Sequence, residues 1–157
     1  MKKLFLIFCI AAALLPGCSN NTDYLPEDFF GLKLTKTFRD DDASRFVNKL
    51  HFKTVTSQNN KIGFYEGEPG SAIIYLTIYD DEESAASEAG RMIEKISPGK
   101  TLFTDGEFIK INDETVYQCF GMGQSHFVFT KDNVLFWISV DTYFAKRFLA
   151  DYLDYLS

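Results

Sequence analysis

The second half of the chain carries a repeated pattern of β-rich segments and short turns, which constrains the fold more than any other feature. Four segments rich in aromatic and β-branched residues are separated by the dipeptides Asn112–Asp113, Met122–Gly123 and Asp132–Asn133. Two-residue turns of this kind join antiparallel neighbours. The sequence therefore predicts an antiparallel meander over residues 107–140.

The length of the turns also predicts how the strands of the meander pair. With two residues in each turn, Cys119 lies opposite His126 and Phe129 lies opposite Phe136. One face of the sheet then collects large apolar side chains, namely Val116, Phe120, Phe127, Phe129, Val134, Phe136, Ile138 and Val140. A shift of one residue would scatter this set over both faces, so we predict this register.

The opposite face of the meander is the one constellation in the sequence with chemical content. Antiparallel pairing brings the Cβ atoms of Cys119 and His126 to about 5 Å, a distance that suits a thiolate–imidazolium pair or two ligands of a soft metal. A nucleophile also needs an orienting acid or amide, and Gln118 points to the other face in this register. We therefore expect a half-buried sheet surface beneath a helix, with no catalytic residue and no metal site. As a candidate binding face we take Tyr75, Tyr117, Cys119, His126 and Trp137.

The rest of the chain supplies further strands and three helices. Strands are predicted at Leu32–Phe38, Phe52–Ser57, Ile62–Glu66 and Ala72–Tyr79, with a hairpin turn at Asn59 and Asn60. Segments with apolar residues at helical spacing follow the Asp40–Asp42 run, the Asp80–Glu83 run and Asp141, and carboxylates are favourable at the start of a helix. We predict an α+β fold, a mostly antiparallel sheet of about seven strands with about three helices, in a single domain over residues 25–157.

The acidic runs and the histidine count argue against a cofactor or an enzymatic site. Three adjacent aspartates suggest calcium, but the ligand spacing of an EF-hand loop and its later glutamate are missing, so capping is the preferred interpretation. With only His51 and His126, a three-histidine metal site cannot form. There is no nucleophile elbow, glycine-rich phosphate loop or HExxH motif. We expect no cofactor and no enzymatic activity.

The N-terminus has the form of an export signal. Lys2 and Lys3 precede an uncharged apolar run, Leu4–Leu15, that is too short for a bilayer span of about 20 residues. The segment Leu15–Cys18 (LPGC) resembles the bacterial lipobox, although Pro16 stands where that family usually has Ala, Ser, Thr or Val. The alternative is an ordinary secretory signal with a chance cysteine.

The lipobox resemblance implies an address in the bacterial cell envelope. Residues 1–17 would be cleaved, Cys18 would be lipidated, and residues 18–24 would form a linker between the membrane and the domain. Ser19 after the cysteine favours the outer membrane by the sorting rule of enteric bacteria, with the domain facing the periplasm or the cell surface.

Cleavage would leave an acidic chain with one free thiol. Loss of Lys2 and Lys3 from the 16 basic residues leaves 14 against 22 acidic residues, a formal charge of −8. This balance argues against nucleic acid, which requires a basic face, and against charge-driven binding to anionic lipid. Cys119 would be the free cysteine in an exported protein, and such a residue is either buried or reactive.

Residues 72–156 resemble bacterial secreted and lipoprotein domains of unknown function. The resemblance rests on a strand, the helix start of residues 81–86 (DEESAA), the turn at Gly106, and residues 129–136 (FTKDNVLF). The order of elements is also similar to the PsbP-like fold, an antiparallel sheet with helices on its faces. Neither resemblance supplies a catalytic motif.

These observations favour a lipid-anchored envelope protein with a non-enzymatic binding, accessory or assembly role. Its expected partners are the membrane, through Cys18, and an envelope protein or small molecule. One alternative is a thiol- or metal-dependent enzyme or redox protein that uses Cys119, His126 and Tyr117. Another is a surface nutrient-binding lipoprotein, in which Tyr75, Tyr117 and Trp137 should line an exposed groove.

Overall fold

The computed structural model describes residues 23–50, 59–96 and 101–157. Those residues form one antiparallel sheet of eight strands and three helices, so the predicted α+β class is confirmed. The strands are β1 (Asp28–Phe29), β2 (Leu32–Arg39), β3 (Asn59–Gly67), β4 (Gly70–Ile78), β5 (Thr104–Ile111), β6 (Glu114–Gly121), β7 (Gln124–Lys131) and β8 (Val134–Asp141). The helices are α1 (Asp40–Leu50), α2 (Glu82–Ile96) and α3 (Ala145–Tyr155).

The sheet is two meanders joined at its centre. Its strand order is β1-β2-β3-β4-β8-β7-β6-β5. After β4 the chain passes through α2 to the far edge, and the second meander returns strand by strand until β8 pairs with β4. The first strand of the order, β1, has two residues and was not predicted.

The predicted register of the second meander is confirmed. Cys119 lies opposite His126, and Phe129 lies opposite Phe136 with their rings stacked at 4.8 Å between centroids. At one of the turns, Met122 and Gly123 both have positive φ. Type I′ hairpin turns require this conformation, and their twist matches the twist of the flanking strands.

The two faces of the sheet are covered by different helices. The face predicted to be apolar packs against α3 and the segment that precedes β1, where Phe148 and Tyr152 are fully buried beside Phe136. On the opposite face, α2 packs on β7 and β8, with Ala89 and Ile96 against the sheet. None of the three helices in the described part of the chain is long and apolar enough to cross a membrane.

Two of the predicted helix starts agree with the structure. Asp40–Asp42 lie in the first turn of α1. Before α2, Asp81 accepts hydrogen bonds from the backbone N–H of Ser84 at 2.7 Å and from its hydroxyl at 3.0 Å. These bonds favour the ionised carboxylate and lower the pKa of Asp81. The third start differs, because α3 begins at Ala145 with no side-chain cap.

Two polar residues do not have the local roles that the sequence predicted for them. Asp141 does not cap α3, because its carboxylate accepts hydrogen bonds from the backbone N–H of Ser71 at 2.8 Å and from Gln124. Asn60 is not in a hairpin turn but is buried in β3, where it donates to Ser44 and accepts from Thr77. The strand predicted at Phe52–Ser57 lies outside the described residues.

Candidate functional site

The residues of the predicted binding face share one face of the sheet, where α2 packs over Tyr117, Cys119 and Trp137 and where Tyr75 pairs with Trp137. Tyr117, Cys119 and His126 retain 3%, 1% and 1% of their surface, whereas Tyr75 and Trp137 are half-buried. Burial also raises the pKa of Tyr75. This face is therefore part of the packed interior, and these five residues do not form an exposed aromatic groove.

The His126 side chain has a hydrogen-bond partner for each ring nitrogen. Nε2 lies 3.0 Å from the carbonyl oxygen of Gly121, which only accepts, so we assign the proton to Nε2. Nδ1 then accepts from Trp137 Nε1 at 3.2 Å and from the Ser139 hydroxyl at 2.9 Å. The neutral imidazole thus uses both ring nitrogens, and two donors share the Nδ1 lone pair.

Aromatic packing closes the space around His126. The Phe103 ring lies edge-on to the His126 ring at 5.0 Å and to the Trp137 ring at 5.5 Å, between centroids. Gly121 allows this approach, since a Cβ atom there would lie 2.7 Å from the Phe103 ring. Desolvation lowers the pKa of His126, although the hydrogen bond to Gly121 acts in the opposite sense.

Cys119 is a buried residue whose thiol form prevails at neutral pH. Desolvation raises its pKa to about 11, and the thiolate is the form that attacks electrophiles and binds metals. Across the described residues, no group of three or more His, Cys, Asp or Glu side chains could hold a metal ion. Burial therefore favours the neutral forms of both Cys119 and His126, as in a packed core.

A second constellation, which sequence reasoning missed, fastens the start of the described chain to α3 and β3. Three tyrosine hydroxyls donate to backbone carbonyls: Tyr155 to Asp23 at 2.7 Å, Tyr152 to Tyr24 at 2.6 Å and Tyr65 to Pro26 at 3.0 Å. We call Tyr65, Tyr152 and Tyr155 the tyrosine clamp. Burial is the main cause that raises the pKa of all three.

The clamp makes residues 23–26 an integral part of the domain. Leu25 is 3% exposed and packs in the core on the α3 face, and its backbone N–H donates to the Asp23 carboxylate at 3.2 Å. Aromatic residues spaced along α3 were predicted from the sequence as an apolar stripe. The hydrogen bonds of their hydroxyl groups could not be predicted from local sequence, because Tyr152 and Tyr155 contact carbonyls more than 120 residues away.

A third feature is a recess of about 280 Å³ where α3 begins. Its lining residues are Gln118, Phe120, Ser125, Thr142, Tyr143, Phe144, Lys146 and Arg147. We call it the α3 recess. Gln118 is 2% exposed, and its side-chain oxygen has no hydrogen-bond partner in the described structure. The signal in the sequence is a polar residue between Val116 and Phe120 on the apolar face of β6.

A larger recess of about 430 Å³ lies at the start of α2. Its lining includes Asp81, Glu83 and Glu88. Asp81 caps the helix, and acidic side chains in the first turn interact favourably with the helix dipole. Capping and the dipole account for Asp81 and Glu83, and Glu88 forms an ion pair with Arg91, so these carboxylates are explained without a ligand.

Comparison with known proteins places the chain in no family. No protein-family model matches it, no curated protein matches it, and no solved structure matches it. The resemblances to the lipobox, to secreted domains of unknown function and to the PsbP-like fold stay predictions.

The lowered pKa of His126 predicts a specific dependence of stability on pH. An unfolded histidine has a pKa near 6.5, so below that pH the unfolded chain takes up a proton that the folded chain resists. This contribution to stability is present above pH 6.5 and is lost as the pH falls. We expect the wild-type unfolding free energy to fall between pH 7 and 5 by up to about 1.4 kcal/mol per pH unit more than that of His126→Gln. Urea unfolding at several pH values measures the difference, and parallel curves would contradict it.

The tyrosine clamp predicts unequal effects for the same chemical change at two positions. Tyr152→Phe leaves the Tyr24 carbonyl without its donor in a partly buried site, and we expect it to lower the unfolding free energy by about 1–3 kcal/mol. Tyr155→Phe removes the same hydroxyl from a residue that is 40% exposed, where water replaces it, so its effect should be smaller. Urea unfolding compares the two variants, and equal losses would show that the clamp hydrogen bonds are not the cause.

Proposed function

We propose that this chain is a lipid-anchored protein of the bacterial cell envelope with a non-enzymatic binding, accessory or assembly role. Lipidated Cys18 is its attachment to the membrane, and an envelope protein or a small molecule is its partner. The observation that carries the proposal is the tyrosine clamp. It fixes Asp23 and Tyr24 to the domain only a few residues after the predicted anchor.

A short tether requires that the segment where it joins the domain be firmly held, and the tyrosine clamp holds that segment. Five residue steps separate Cys18 from Asp23, and even a fully extended chain spans at most about 3.6 Å per residue, or roughly 18 Å. Every pull on the anchor reaches the domain through residues 23–26. Partly buried hydrogen bonds from Tyr65 and Tyr152, together with the packed Leu25 side chain, hold that segment against such a pull.

The acidic surface is compatible with this form of attachment. Repulsion from anionic headgroups disfavours adsorption by charge, whereas two or more acyl chains hold a protein stably without any basic patch. Ser19 after the predicted lipidated cysteine favours the outer membrane, with the domain in the periplasm or on the cell surface.

The state of Cys119 and His126 favours a binding role over the thiol or metal alternative. A nucleophile or soft-metal site needs a thiolate, and here desolvation stabilises the thiol. His126 uses both ring nitrogens within the domain, so neither is free to act on a substrate or a metal.

The anchor is tested by replacing Cys18 in full-length protein expressed in a bacterium. We expect intact-mass spectrometry to show an acyl modification on the wild type, and we expect the protein to stay in membranes after a carbonate wash. Cys18→Ala should lose both the added acyl mass and the membrane association. Cys119→Ala is the matched control and should retain both. An unmodified wild-type protein would refute the proposed anchor.

The non-enzymatic assignment is tested by thiol labelling and metal titration of the folded protein. We expect Cys119 to react with a maleimide only after unfolding in urea, since it is 1% exposed with a raised pKa. We also expect no stoichiometric binding of zinc or copper(I) by the folded domain. Rapid labelling without denaturant, together with metal binding that is lost in His126→Gln, would favour the redox or metal alternative.

A further inference from the structure

Gln118, which lines the α3 recess, carries a buried acceptor with no partner in the described part of the chain. Gln118 lies on β6 opposite Phe127, and its side chain shares the α3 face with Val116. Its Oε1 atom is buried and has no hydrogen-bond partner in the described part of the chain. A buried carbonyl without a donor is unfavourable, and native proteins contain few such groups. A ligand with an N–H or O–H group would satisfy it once the Gln118 side chain turns Oε1 towards the recess.

The rim of the recess is positively charged although the chain is acidic. Lys146 and Arg147 both line it, and none of its described lining residues is acidic. No carboxylate among the described residues forms an ion pair with either side chain. The Arg147 guanidinium lies 5.6 Å from the centre of the Phe30 ring. Glu107 pairs with Gln118 on the neighbouring strand but does not line the recess.

Backbone N–H groups at the start of α3 add further donors that an anion could accept from. The N–H groups of Phe144 and Ala145 donate to the carbonyls of Asp141 and Thr142 at 3.3 and 3.4 Å. The next two, those of Lys146 and Arg147, lie in the first helical turn, where an α-helix supplies no acceptor, and no side chain caps them. Positive side chains at the N-terminal end of a helix interact unfavourably with its dipole, whereas a bound anion interacts favourably with both the dipole and those side chains.

We propose that the α3 recess binds a small ligand that carries a carboxylate next to an N–H or O–H donor and an apolar group. This proposal specifies the ligand chemistry of the binding role given above and rests on that role. The carboxylate lies at Lys146, Arg147 and the first turn of α3, and the neighbouring donor reaches Gln118 Oε1. The apolar group packs against Phe120 and Tyr143, a tyrosine that is 75% exposed.

The size of the recess limits the ligand to a small molecule or to the end of a longer one. Its 280 Å³ is near the lower limit of about 300 Å³ for pockets that bind small molecules. An N-acylated amino acid has the three required groups in that space. The carboxyl-terminal residue of a peptide has the same chemistry, so both sources must be compared.

A series of ligands tests the carboxylate and the hydrogen-bond donor. Full-length protein in detergent micelles is titrated by calorimetry with N-acetyl-leucine, with N-acetyl-leucinamide, which lacks the carboxylate, and with isocaproate, which lacks the acetamido group and with it the N–H. We expect N-acetyl-leucine to bind at least about tenfold more tightly than either analogue, because each analogue loses a hydrogen-bonding or charge interaction. A tripeptide with a free C-terminal leucine distinguishes the sources: tighter binding assigns a peptide end, and weaker or equal binding assigns the free acid.

Two variants connect the binding to the recess. Gln118→Met should raise the thermal unfolding midpoint, because it removes the unpaired carbonyl, and should abolish the preference for N-acetyl-leucine over isocaproate. Lys146→Gln combined with Arg147→Gln should weaken N-acetyl-leucine binding by about tenfold or more. Lys33→Gln combined with Lys110→Gln makes the same charge change at exposed positions outside the recess and should leave binding unchanged.

Several results would overturn the proposal. They are a wild-type protein that does not bind N-acetyl-leucine, an amide analogue that binds equally well, or a rim variant that binds as well as its control. The ligand series and the rim variant decide the matter if Gln118→Met fails to fold. Mass spectrometry of the same sample reports the lipid on Cys18, so a lipidated protein without ligand binding refutes the recess and leaves the anchor standing.

Discussion

The pairing of β4 with β8 is the interaction on which the rest of the structure depends. Seven residue pairs join these strands, from Ala72 opposite Val140 to Ile78 opposite Val134. They connect a first meander, which carries α1, to a second meander, which leads into α3. Because side chains alternate along each strand, this one register decides that Ile138 faces α3 and that Trp137 faces α2. A shift of one residue would exchange the two cores.

The sequence predicted this region well because its determinants are local. Two-residue turns and alternating side chains fix the pairing of Cys119 with His126 over a span of eight residues. Predictions failed where a polar side chain bonds to a distant element. Asp141 bonds to Ser71, which is 70 positions away, and Asn60 bonds to Ser44 and Thr77. Pattern reasoning assigns such residues to caps and turns, which are their usual local roles.

The same limit explains what was and was not predicted about the candidate sites. Strand pairing identified a face with Cys119, His126 and Trp137, and a helix was expected to lie on it. How completely α2 and Phe103 cover that face depends on packing that no local pattern encodes. The α3 recess depends in the same way on where α3 lies relative to β6, so Gln118 was noted only as pointing away from the predicted face.

Two buried polar groups, one on each face of the sheet, therefore have opposite implications. Each ring nitrogen of His126 is paired, so protonation or a ligand would break existing hydrogen bonds. Gln118 Oε1 is unpaired, so a ligand that donates to it would add a bond without breaking one. The paired His126 thus stabilises the α2 face, and the unpaired Gln118 is the basis of the binding proposed at the α3 face.

Helix α3 then connects the two proposed tasks of the domain. The α3 recess lies at its N-terminal end, and Tyr152 and Tyr155 of the tyrosine clamp lie in its C-terminal half. Eleven residues at 1.5 Å per residue give the helix a length of about 16 Å. A lipid at Cys18 would act on the clamp end, so the recess at the opposite end would stay accessible to a ligand. A single rigid element would thus separate attachment from recognition, and neither function would require the domain to change its conformation.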